Sequence, residues 1–76
     1  MKHFLVVNGF EFYMTDGVKQ EDNVDKLFHR MDKKNVRSIL TSASKIRVTM
    51  KAALGTNPVL SKLLGKILLG ASKKLQ

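Results

Sequence analysis

Asp25 and His29 stand four residues apart, the spacing at which a helix sets a carboxylate beside an imidazole. Such a pair is the beginning of an acid–base couple. It is equally an ordinary surface pair that stabilises its helix by about 0.2–0.5 kcal/mol, and this second reading is preferred because nothing else in the chain completes a site. With no cysteine, the sequence has neither a thiolate nucleophile nor a thiolate zinc ligand, and the second histidine, His3, sits far off in the first apolar run. Patterns such as H-E-x-x-H, G-x-S-x-G or G-x-x-x-x-G-K-S/T do not occur. Gly65-Lys66 follows leucines in a helical rhythm, which is not the setting of a phosphate loop. Asp22, Asp25 and Asp32 invite a metal-cluster reading, but the first two suit the positive end of a helix and the third an exposed-face pair. The expectation is a protein that is not an enzyme and holds no cofactor or metal.

What remains able to recognise anything is the positive charge. Fourteen Lys and Arg against six Asp and Glu give a net charge of +8. The signs are sorted along the chain. All six acids lie within the first 32 residues, together with Lys2, Lys19, Lys26 and Arg30, whereas residues 33 to 76 carry ten basic side chains and no acid. Solubility does not need such sorting, so an anionic partner is expected. Three basic surfaces suggest themselves: Lys26, Arg30, Lys33, Lys34 and Arg37 with His29; Lys45, Arg47 and Lys51 with Ser44 and Thr49 as hydroxyl donors; and Lys62 and Lys66 with Lys73 and Lys74. Lines of Lys and Arg are what a phosphate backbone needs. Phe4 and Tyr13 offer an aromatic pair on which exposed bases could stack, although packing of Phe4, Val6 and Tyr13 beneath the last helix is the preferred reading of that face.

The elements that position these residues can be read from apolar spacing. His3–Val7, Asn8-Gly9 and Phe10–Met14 predict a β-hairpin with a two-residue turn, since Asn-Gly is the favoured pair where both turn residues need positive φ. That register sets Val7 against Phe10, Leu5 against Phe12 and His3 against Met14 on the core face, with Phe4 against Tyr13 and Val6 against Glu11 on the other. Thr15-Asp16-Gly17 closes the second strand. A helix is expected over about 22–34, with Asp22 or Asn23 as N-cap, Glu21, Asp22 and Asp25 at its negative-charge-favouring end, Arg30, Lys33 and Lys34 in its last turns, and Val24, Leu27, Phe28 and Met31 on its buried face.

Residues 36 to 54 read in two ways. As a helix, Val36, Ile39, Leu40, Ala43, Ile46, Met50 and Leu54 share one arc, with Gly55 as a left-handed cap. As strands, Lys45 to Met50 alternates polar and apolar, giving a second hairpin at about 36–50 and the order ββαββα. No Gly, Pro or Asn marks the turn near Ser42–Ser44, so helix is favoured. Asn57-Pro58 opens a last helix over about 58–72 whose Leu60, Leu63, Leu64, Ile67, Leu68, Ala71 and Leu75 form one apolar arc, weakened by Gly65 and Gly70 and frayed beyond Lys73.

The chain thus reads as one small α+β domain, an N-terminal β-hairpin packed against two or three helices. The longest leucine-rich stretch, Val59–Leu69, is interrupted by Lys62, Gly65 and Lys66, short of the roughly 20 apolar residues of a membrane span. A cytoplasmic setting is expected, or a host cytoplasm for a viral product. The leading function is nucleic-acid binding through phosphates with low sequence selectivity. The alternative is a small basic effector or inhibitor, of the kind viruses and mobile elements encode as accessory proteins, docking on an acidic surface of a partner such as a host enzyme. Membrane-surface association through the C-terminal amphipathic helix ranks third.

Overall fold

The computed structural model describes residues 2–15 and 23–76. Strands β1 (Lys2–Val7) and β2 (Phe10–Thr15) pair antiparallel in the expected register, from Val7 opposite Phe10 to His3 opposite Met14. The turn is the one the Asn-Gly pair demands: φ is 53° at Asn8 and 81° at Gly9. Val7 and Phe12 are buried on the inner face, and Leu5, Phe10 and Met14 pack at its margin.

Among the described residues four helical segments follow: α1 (Val24–Arg30), α2 (Lys33–Thr49), α3 (Lys51–Thr56) and α4 (Pro58–Leu75). The chain is therefore an α+β domain with a two-stranded sheet. The helix expected over 22–34 is shorter than the apolar spacing implied. Met31 is extended, at φ −91° and ψ 144°, which turns its side chain into the core at 8% exposure. Asp32 then starts a new helix, its carboxylate accepting from the Asn35 N–H at 2.8 Å. Asp32 is an N-cap rather than a member of an exposed-face pair. Lys33 and Lys34 consequently open α2 instead of closing α1. Asp25 does lie in the first turn of α1, while Glu21, Asp22 and the Asp16-Gly17 corner lie outside the described residues.

Residues 36 to 54 are helical, and the second hairpin does not form. The alternation of Lys45 to Met50 is overruled because Val36, Ile39 and Ala43 need a 3.6-residue period to reach the core together. The ladder continues through Met50, whose N–H donates to Ile46 O at 2.8 Å and whose carbonyl accepts from Leu54 N–H at 2.9 Å. Met50, at φ −105° and ψ 26°, departs from helical angles and separates the two segments. It is exposed rather than part of the buried arc. Gly55 lies inside α3 and is not a left-handed cap: among the described residues only Asn8 and Gly9 have positive φ. Asn57 ends this run and caps the next, accepting from the Leu60 N–H at 3.2 Å with Pro58 in the first turn.

The core lies where α4 meets everything else. Leu63, Leu64, Ile67 and Ala71 are buried against α2, α1 and both strands, and the helix holds to Leu75, three residues beyond the expected end. Phe12 and Phe28 meet at its centre, their ring centroids 5.4 Å apart. Each fully buried side chain of this size contributes about 1.5–3 kcal/mol relative to exposure, which must carry a fold that has no disulfide.

Candidate nucleic-acid interface

With Val36, Ile39 and Ala43 turned inward, the rest of α2 is placed by geometry. At about 100° per residue, Lys34, Arg37, Ser38, Thr41, Ser44, Lys45 and Val48 fall within about 120° of the circumference, opposite the core. All seven are exposed. From Lys34 to Lys45 the stripe runs about 16 Å at 1.5 Å per residue. This is about five base pairs of duplex at 3.4 Å each. No acidic side chain interrupts it, since α2 contains none.

Lys34 and Arg37 share a shallow depression with Asn8, Ser38, Thr41 and Ser42. Ser42 Oγ donates to Asn8 Oδ1 at 2.9 Å, which fastens the hairpin turn beside the stripe. Thr41 Oγ1 donates to Arg37 O at 3.1 Å and Ser44 Oγ to Leu40 O at 2.9 Å. Each of these hydroxyls can swing to a phosphate oxygen in exchange for one helix-backbone bond. Two long cations and neighbouring hydroxyls on one rigid helix are suited to holding phosphates in a row.

The other basic residues are not gathered here. The break at Met31–Asp32 splits the expected run Lys26, His29, Arg30, Lys33 between two helices. Lys26 and Arg30 are exposed on α1, and Arg30 borders a depression that also contains Asp32, where its field is partly offset. Lys33 is exposed at the head of α2, to one side of the stripe. Arg47 and Lys51 sit on a different wall, facing α4 across an apolar trough. Lys62 and Lys66 are exposed on α4.

Phe4 and Tyr13 are neighbours, with ring centroids 5.8 Å apart and planes tilted by 51°. The preferred expectation, that Phe4, Val6 and Tyr13 pack beneath the last helix, does not hold. Phe4 is 50% and Val6 58% exposed, because α4 covers the opposite, Val7–Phe12 face of the hairpin. Asn8, expected only as a turn residue, joins Ser38 and Thr41 beside Lys34 and Arg37, and no motif in the sequence marks the three as a group. The spacing 34, 38, 41, 45 that joins the hydroxyls to the cations is visible only once α2 is known to begin at Lys33.

Among the described residues no three His, Asp or Glu side chains are grouped to hold a metal ion, and no helix is long and apolar enough to cross a membrane. Compared with protein-family models, curated proteins and solved structures, the chain gives no match.

Proposed function

We propose that this protein binds nucleic acid through its phosphates along the exposed face of α2, with little sequence selectivity. The observation that carries this reading is the acid-free stripe Lys34, Arg37, Lys45 interleaved with Ser38, Thr41 and Ser44. A second feature supports it. Lys33 and Lys34 occupy the first turn of α2, where the helix dipole disfavours positive charge. Residues that break a local rule without a folding gain are frequently kept for function. The half-exposed Phe4–Tyr13 pair adds a stacking surface for single strands, reached from a different face of the hairpin.

The test is a titration of labelled duplex and single-stranded oligonucleotides at several salt concentrations, comparing the native chain with Lys34→Gln/Arg37→Gln/Lys45→Gln. Affinity that falls steeply with salt and collapses in the triple variant supports the proposal. Binding that ignores salt, or that survives the triple substitution, refutes it.

A further inference from the structure

A second surface lies on another side of the molecule and has a different chemistry. The end of α2 and α3 form one wall of an open trough through Arg47, Lys51, Leu54 and Gly55, spaced i, i+4, i+7, i+8. The facing wall is α4, through Ser61, Leu64, Gly65, Leu68 and Leu69, which repeat the same helical spacing as far as Ser72. The trough has a volume of about 700 Å³. Its floor is leucine, and Leu69 remains 58% exposed on its lip. Two glycines keep it open: a Cβ on Gly55 or on Gly65 would meet nothing within 4 Å.

We infer that this trough docks an acidic amphipathic helix of a partner protein. Ser61 to Ser72 is about three helical turns, roughly 16 Å, the length over which an i, i+3, i+4, i+7 row of apolar anchors engages a groove. Both charged side chains on its walls, Arg47 and Lys51, are cations, so carboxylates flanking the apolar row are the complement. A second copy of this chain does not fit: among the described residues the one acid inside a helix is Asp25 of α1, and the apolar Val24 and Phe28 of that helix are already buried in its own core. An acyl chain fits less well. The trough is a surface feature with exposed Arg47, Lys51, Ser61 and Ser72 along its rims, and a helix brings its own polar outer face where a lipid tail would stay in water. This surface is distinct from the α2 stripe, so the protein can hold an anionic polymer and a protein segment at once.

The experiment is selection of a displayed library of helical peptides against the whole chain, followed by amide chemical-shift mapping of the best synthetic peptide. Recovery of peptides with an apolar i, i+3, i+7 row flanked by Asp or Glu, shifting Gly55, Gly65 and Leu68, supports the inference. Two variants sharpen it. Gly65→Leu, which fills the trough from a helical position, and Arg47→Glu/Lys51→Glu should each weaken the peptide about tenfold or more, equivalent to about 1.4 kcal/mol. Lys34→Gln/Arg37→Gln/Lys45→Gln should leave it unchanged, and thermal melts confirm that every variant folds. Recovery of no acidic amphipathic sequence, shifts confined to the α2 stripe, or equal binding by Gly65→Leu would overturn it. So would tighter trough-mapped binding to anionic phospholipid vesicles than to any selected peptide.

Discussion

Gly70 of α4 lies directly against the ring of Phe28 in α1: a Cβ at Gly70 would stand 2.8 Å from Phe28 Cδ2 and 3.1 Å from Cε2. That ring also packs against Phe12, centroids 5.4 Å apart, and Phe28 is only 3% exposed, so a shift of the ring would disturb the core. The glycine therefore sets how closely α1 approaches α4. Gly65, five residues earlier on the same helix, meets nothing.

The two glycines should respond oppositely to the same substitution. Gly70→Ala should destabilise the protein by about 1–3 kcal/mol through overpacking. Gly65→Ala should stabilise it by up to about 1 kcal/mol, the helix-propensity difference with no steric penalty. Urea or thermal unfolding of the two variants decides it, and a gain in stability for Gly70→Ala would show that the α1–α4 contact is looser than described.

Asn23 acts on the sheet rather than on its own helix. It occupies the N-cap position of α1 but makes no side-chain cap bond. Its Oδ1 accepts from the Tyr13 N–H at 2.7 Å and its Nδ2 donates to Glu11 O at 2.6 Å, so one side-chain amide pairs with the outer edge of β2 as a neighbouring strand would. Asn23→Ala should cost about 1–3 kcal/mol, since two bonds are lost and a part-buried backbone group is left unpaired. Asn23→Asp keeps the acceptor and loses the donor, and should fall between. Hydrogen exchange should show the Tyr13 amide losing protection in Asn23→Ala and retaining part of it in Asn23→Asp.

Asp32 and Asn57 cap the two long helices, and each should lose about 0.5–2 kcal/mol on replacement by Ala. Asp32→Asn should be milder than Asp32→Ala because an amide oxygen can still accept from Asn35. Its carboxylate also faces the positive end of a helix that begins with two lysines, so Asp32→Asn should remain measurably below the native chain at low salt. Equal stability of Asp32→Ala and the native protein in chemical unfolding would contradict the capping geometry.

The proposed nucleic-acid contact has a quantitative signature. If about six phosphates are neutralised on duplex DNA, the log–log dependence of affinity on salt should have a slope near −5. Removing Lys34, Arg37 and Lys45 should reduce its magnitude by about 3. Removing Arg47 and Lys51 should leave it nearly unchanged, because they line the trough and not the stripe. A loss spread evenly over all basic residues would point instead to diffuse attraction by the net charge.

Local chemistry was enough to specify the hairpin, its Asn8-Gly9 turn and its register, because a two-residue turn and a period of two leave one arrangement of Val7, Phe12 and their partners. It was enough, too, for the Asn57-Pro58 start of α4 and for the absence of acids after Asp32, which is composition alone. Tertiary packing decided the rest. The helix favoured over 36–54 is the one that forms, but the strand alternative is excluded only by Val36, Ile39 and Ala43 entering the core that α2 shares with α4, which lies outside any local window. The break at Met31, where the chain is extended and Asp32 caps a new helix, divided one expected basic stripe and created another on α2. The contrast between Gly65 and Gly70 is invisible in sequence, where both are glycines in one helix. Only the position of Phe28 makes one of them a point of close contact and the other a gap. The positive charge was legible from the start, but its division into a stripe and a trough follows from which faces of α2 and α4 the core had already taken.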